Sequence, residues 1–256
     1  MAALEIHQFE AFDDNYGYLI HDAEANVTAT IDTPDTPKIL AALEAKGWAL
    51  THILCTHHHF DHTGGNEELK AKFGATITGP RAEASKIPGL DLAVGEGELV
   101  NFGTRTAKIF DVPGHTLGHI AYWFEEDEAA FVGDALFALG CGRVFEGTPP
   151  QMWNSLQKLA ALPPATKVYC AHEYTQSNAQ FAVTVDPENQ ELLARAVEID
   201  ALRARGERTV PTTIEVELAT NPFLRAGEPS LQRALGMEGA DLADVFTEVR
   251  KRKDNF

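Results

Sequence analysis

Up to residue 174 the chain alternates short apolar runs with Gly, Pro and Asp, and the runs are rich in β-branched and aromatic side chains. Strands are predicted around Tyr18–His21, Thr28–Asp32, Thr51–Cys55, Thr76–Thr78, Lys108–Val112, Ile120–Phe124, Ala129–Val132 and Lys167–Cys170. Helical spacing lies between some of them: Thr36–Lys46 stopped by Gly47, Asn66–Phe73 stopped by Gly74, and Pro149–Ala161 with Thr148 as N-cap. Strands interleaved with helices in this way imply a mixed α/β domain.

After Tyr174 the β-branched runs nearly vanish and longer amphipathic patterns take over, notably Pro187–Arg205 with Leu192, Leu193, Ala196, Val197 and Leu202 at helical spacing. The pattern divides the chain into a domain of residues 1–174 and a smaller helical one of residues 175–256. Within the second, Gly206–Pro222 reads as an extended connector because Pro211 and Asn221-Pro222 resist helix. Pro229–Leu235 and Ala240–Asp254 return to helical periodicity.

One stretch carries chemistry. Thr56-His57-His58-His59-Phe60-Asp61-His62-Thr63-Gly64-Gly65 follows an apolar run and precedes a helix, and polar side chains at the end of a buried strand are costly unless something coordinates or pairs them. His57 and His59 are two apart, so in extended backbone they project to one side and grip one ion, while His58 points the other way. Asp61 and His62 follow where the chain turns. Three later positions repeat the setting, each just after a β-like run: His115, Asp134 and His172. Each alone reads as a cap or turn residue; with His57, His59, Asp61 and His62 they make five His and two Asp, the number two adjacent divalent ions need.

Composition narrows the classes. With 44% hydrophobic and 23% charged residues the chain is an ordinary folded protein, without an apolar stretch long enough to span a membrane and without a secretory start. A net charge of −17, from 38 acidic against 21 basic residues, repels polyanions and argues against nucleic-acid binding. Cys55, Cys141 and Cys170 are odd in number and scattered, which fits a reducing cytoplasm and no disulfide framework.

His57, His59, Asp61 and His62 match the HxHxDH signature of the metallo-β-lactamase superfamily, and His115, Asp134 and His172 match its remaining ligands in order. The resemblance implies an α+β fold: a four-layer αββα sandwich followed by a C-terminal α-helical domain. Within the superfamily the chain resembles the glyoxalase II family, the hydroxyacylglutathione hydrolases, over nearly its whole length. The matching segments are Gly140-Cys141-Gly142-Arg143, Glu146-Gly147-Thr148, Ala171-His172-Glu173-Tyr174-Thr175, Ala219-Thr220-Asn221-Pro222-Phe223-Leu224-Arg225 and Arg250-Lys251-Arg252-Lys253-Asp254. By that resemblance His57, His59 and His115 hold one metal, Asp61, His62 and His172 the other, and Asp134 bridges. Arg143, Tyr174, Arg250 and Lys253 bind the glutathione moiety. Phe145 stands where the animal enzymes carry Tyr, so the phenolic hydrogen bond to the tripeptide is missing.

The implied reaction is hydrolysis of S-(2-hydroxyacyl)glutathione, S-D-lactoylglutathione above all, to glutathione and D-lactate, the second step of methylglyoxal detoxification. A ligand set of imidazole and carboxylate suits two divalent ions, zinc first, with iron or manganese as alternatives. The ions would generate a bridging hydroxide, with Asp61 and Asp134 as the carboxylates at the reacting centre. A cytoplasmic monomer acting on a small-molecule thioester is expected. Two other readings share the motif: a mononuclear-iron glutathione persulfide dioxygenase, separable by metal count and oxygen uptake, and a non-catalytic binding protein on the same scaffold, which would be expected to have lost ligands.

Overall fold

The computed structural model describes residues 3–256 and forms two compact units. The first takes the chain up to Asp111 together with Thr116–Gly133; the second comprises Val112–His115 and Asp134–Phe256.

The first unit opens with an antiparallel meander, β1 (Glu5–Ala11), β2 (Asn15–Asp22) and β3 (Val27–Ile31), in which Glu5 pairs with His21 and Tyr18 with Ile31. Helix α1 (Thr36–Lys46) then crosses to β4 (His52–Leu54), which lies parallel to β3. The short helix α2 (Phe60–Thr63) and α3 (Asn66–Phe73) cross to β5 (Thr76–Pro80), parallel to β4, and β6 (Leu92–Val94) extends the same six-stranded sheet. Asp35 caps α1 by accepting from the Lys38 amide, and Gly47, in left-handed backbone, ends it. The apolar faces of α1 and α3 cover one side of this sheet through Ile39, Leu43 and Leu69 against Phe9, Leu19, Ile53 and Ile77. Each such side chain taken out of water contributes about 1.5–3 kcal/mol.

A second layer of strands, β7 (Leu99–Phe102), β8 (Arg105–Asp111), β9 (Ile120–Phe124) and β10 (Ala129–Gly133), runs antiparallel in that order. It packs on the other face of the first sheet: Tyr18 meets Phe131 edge-on at 5.6 Å, and the Tyr122 hydroxyl donates to the Cys55 carbonyl at 2.9 Å. With layers on both sides, β2 is buried at every position, so its sequence shows no alternation.

The second unit contains the hairpin β11 (Leu136–Phe137) and β12 (Gly140–Cys141), helix α4 (Pro149–Ala160), β13 (Lys167–Cys170), and helices α5 (Thr175–Val185) and α6 (Gln190–Ala204). Strand β14 (Thr212–Thr213) pairs with β13 and leads into α7 (Ile214–Thr220), α8 (Pro229–Leu235) and α9 (Leu242–Asp254). Thr148 and Gln151 form a reciprocal capping box at the start of α4. Helices α5 and α6 pack through Ala179, Ala182, Leu192 and Ile199.

One expectation needs correction. The segment 206–222 is not an extended connector throughout: Thr213 caps α7 by accepting from the Val216 amide, and seven helical residues fit between Pro211 and Asn221-Pro222.

Candidate metal centre

The seven expected ligands divide between the units, His57, His59, Asp61 and His62 in the first and His115, Asp134 and His172 in the second. Each is a member of a group of His and Asp donors able to hold a metal ion.

In the first unit β4 ends at Leu54, and the chain runs through an extended loop into α2, which starts after His59. His57 and His59 project together, with Nε2 of His57 3.1 Å from Nδ1 of His59. Asp61 and His62 sit in the helical turn, with Nε2 of His62 3.4 Å from Oδ2 of Asp61. Two donors about 2.0–2.1 Å from one tetrahedral ion lie about 3.3–3.4 Å apart, so both spacings suit shared coordination.

The other edges of these rings are held by the protein. Nδ1 of His62 is 2.8 Å from Oδ2 of Asp32, and Nδ1 of His57 is 3.0 Å from the Thr56 hydroxyl, which itself donates to Oδ2 of Asp32 at 2.8 Å. The Thr56 amide donates to the other oxygen of Asp32 at 2.7 Å. One buried carboxylate therefore sets the orientation of two imidazoles and leaves each Nε2 directed away from it, the arrangement that makes imidazole a good ligand. Asp32 adopts left-handed backbone, φ 57°, a conformation more accessible to Asp than to most residues. Asn15 donates to Oδ2 of Asp61 at 3.2 Å. His119, fully buried, stacks on His57 at 4.5 Å, supporting the ring through its face. His58 turns away, as its position between the ligands predicts, and meets Glu83 at 2.9 Å.

In the second unit Asp134 stands between two imidazoles. Its Oδ2 is 3.4 Å from Nε2 of His115 and its Oδ1 is 3.4 Å from Nε2 of His172. A carboxylate that offers one oxygen to each of two rings has the form of a bridging ligand. Nδ1 of His115 donates to the Arg143 carbonyl at 2.9 Å, fixing the tautomer that leaves Nε2 as donor atom. The loop before His115 is tied to α4, since the Ser155 hydroxyl donates to the Pro113 carbonyl at 2.7 Å. His172 stacks face to face with Tyr174, 4.8 Å between centroids and 2° between planes. Gly133, the residue before Asp134, has φ 48°, and a Cβ there would lie 2.6 Å from the Thr56 hydroxyl, so no other residue fits without a shift.

The residues expected to bind the tripeptide also lie in the second unit. Arg143 and Phe145 are exposed, and the Phe145 ring is 5.1 Å from His115. Arg250, only 5% exposed, donates to the Cys141 carbonyl at 3.0 Å and pairs with Asp254 at 2.8 Å. Lys253 donates to the Ser177 carbonyl at 3.0 Å, and burial together with the charges of Arg250 and Arg143 pulls its pKa down to about 8. Cys141 touches Arg250, yet burial still pushes its thiol up to about 11, and burial pushes the thiols of Cys55 and Cys170 up as well, so none offers a thiolate nucleophile at neutral pH. Glu173 accepts from the Thr209 amide and hydroxyl, at 3.0 and 2.7 Å.

Asp32, Asn15 and Glu83 are the contacts of this loop that sequence reasoning missed. Asp32 carried a signal, an Asp immediately after a β-like run, the same setting that singled out Asp134.

The donor chemistry and layered sheets define a metallo-β-lactamase fold, and the family model of the metallo-beta-lactamase superfamily matches residues 28–172. The model of the hydroxyacylglutathione hydrolase C-terminus matches residues 173–256. A hydroxyacylglutathione hydrolase of Maricaulis maris (strain MCS10) is 53% identical over the whole of both chains, and one of Rhizobium meliloti (strain 1021) is 55% identical, again over all of both. Among solved structures, that of ETHE1 from Myxococcus xanthus superposes with a TM-score of 0.68 at 25% identity, covering 97% of this chain and 98% of that one. The chain belongs to the hydroxyacylglutathione hydrolase family.

Proposed function

We propose that the protein hydrolyses S-(2-hydroxyacyl)glutathione, with S-D-lactoylglutathione as the preferred substrate, releasing glutathione and a 2-hydroxy acid. Full-length identity above one half with hydroxyacylglutathione hydrolases is the observation that carries this reading. Two divalent ions, zinc first, would be held by His57, His59 and His115, by Asp61, His62 and His172, and by Asp134 between them. The donor set fits such ions: imidazole and carboxylate only, paired at 3.1–3.4 Å within each unit, with Asp32 and the Arg143 carbonyl orienting three of the rings. Bound there, the ions would supply Lewis acidity toward a thioester carbonyl and a water.

The protein's own groups do the rest. Asp61, held by Asn15, and Asp134 orient the attacking water. The leaving thiolate has a reference pKa of about 8.5, so no protonating side chain is needed, in contrast to amide hydrolysis. Arg143, Lys253 and Arg250 attract the carboxylates of the tripeptide, and Tyr174 lies against His172 as a flat wall for the thioester arm. Residues 1–174 then form the catalytic domain and 175–256 the substrate-binding domain, a division supported by the junction of the two family models at 172/173. No helix among the described residues is long and apolar enough to cross a membrane, and the cysteines are free and buried, which fits a monomer working in a reducing cytoplasm.

The test is to follow thiol release from S-D-lactoylglutathione before and after chelation. Chelator-sensitive release is expected; its absence would overturn the reading.

A further inference from the structure

Beside the ligand loop the first unit buries a carboxylate that the proposed chemistry does not use. Glu83, 2% exposed, lies in the 3-10 turn Arg81–Lys86 directly after β5. Its Oε2 accepts from the His58 amide at 2.9 Å and lies 2.9 Å from Nδ1 of the same residue, while Oε1 accepts from the Gly118 amide at 2.8 Å. A buried carboxylate is costly unless such donors satisfy it, so the two backbone amides and the acid depend on one another.

The two amides belong to separate stretches of chain. The His58 amide is part of the peptide that joins His57 to His58, inside the His57–His59 donor pair. The Gly118 amide precedes His119, whose ring stacks on His57 at 4.5 Å. Glu83 thus grips the ligand loop and the residue behind it with one oxygen each. The approach leaves no room for a side chain, since a Cβ on Gly118 would fall 2.5 Å from Cγ of Glu83.

We propose that Glu83 is a positioning residue for the metal-ligand loop, its carboxylate locking the His57–His58 peptide and the Gly118–His119 segment so that His57 and His59 keep a common coordination spacing. The assignment rests on the metal site proposed above. Glu83 touches neither metal nor substrate, so its effect falls on metal retention and on kcat, not on KM. His58 acts with it, its ring filling the space beside Oε2.

The experiment compares the full-length wild type, Glu83→Gln and Glu83→Ala by competition between the protein and a chromophoric chelator for Zn(II), with the Co(II) absorption spectrum as a second readout. If the wild type binds no Zn(II), the reading of the site fails irrespective of Glu83. If it does, Glu83→Ala is expected to weaken Zn(II) binding about 10- to 100-fold and to alter the Co(II) bands. Glu83→Gln keeps one acceptor oxygen for only one of the two amides and falls between, and KM for the thioester stays at the wild-type value in both. A lowered melting temperature with Zn(II) affinity within twofold of wild type would make Glu83 a fold staple only and overturn the proposal, as would a raised KM with unchanged kcat. Should neither variant fold, hydrogen exchange in the unaltered protein decides. The His58 and Gly118 amides are expected among the slowly exchanging ones, and exchange at exposed-loop rates would overturn the assignment.

Discussion

The loop of His57 to His62 and the end of α9 carry residues proposed for metal and for substrate, yet they are built in opposite ways. In the loop every imidazole has one edge fixed by a neighbour, through Asp32, Thr56 or Glu83, or a donor atom set close to a second ligand. The end of α9 instead leaves a charge poorly compensated: burial first, and the charges of Arg250 and Arg143 next, bring the pKa of Lys253 down to about 8. A metal site is organised before its ion arrives, because coordination tolerates little misplacement. On the proposed reading an anionic ligand would meet a lysine whose charge burial and its neighbours have made costly.

That contrast is sharpest where a ligand is removed. Asp134→Ala is expected to reduce both bound metal and thioester turnover by more than about 100-fold, beyond the 10- to 100-fold typical of outer partners, because its oxygens serve His115 and His172 together. Metal analysis and thiol release on one preparation check this. Asp32→Ala comes next, with metal affinity reduced about 10- to 100-fold. It also strands the Thr56 amide and His62 Nδ1 in the interior, at a cost of about 1–3 kcal/mol read from the denaturation midpoint. A variant that kept its metal would mean the orienting carboxylate is dispensable.

At the α9 end the expected signature is in KM. Lys253→Ala should raise KM for the thioester about 10-fold with kcat little changed, the loss of one charge-assisted hydrogen bond. The pH dependence has a definite sign. Lys253 carries its charge below a pKa of about 8 and loses it above, so KM should rise as pH passes from about 7 to 9. Lys253→Arg, which stays charged, should flatten that rise. The smallest effect is expected from Phe145→Tyr, where a restored phenolic donor should lower KM about fivefold, roughly 1 kcal/mol.

How far the sequence could be read follows the same contrast. The donor cluster was legible because its chemistry is in the residue type and each member follows a β-like run, so the proposed ligands His57, His59, Asp61, His62, His115, Asp134 and His172 could be listed without a structure. Their supports were not. Asp32, Asn15 and Glu83 are ordinary polar residues at strand ends or in turns, where a cap is the commoner role, and only the fold brings them to the loop. The helix Ile214–Thr220 was hidden for a local reason: its seven residues lie between prolines that punctuate the segment, and burial of Ile214, Glu217 and Thr220 rather than periodicity sustains it. Strand β1 was missed because its alternation begins beside the N-terminus and its burial is partial. The proposal for the glutathione side came only through family resemblance, since Arg250 and Lys253 three apart near a helix end also complement the helix dipole.

The central claim, a two-ion site driving thioester hydrolysis, is tested most directly by titrating Zn(II) into metal-free protein while recording turnover of S-D-lactoylglutathione. Turnover is expected to rise from near zero and level off at two equivalents per chain. Full turnover at one equivalent, or turnover that survives complete removal of metal, would contradict it.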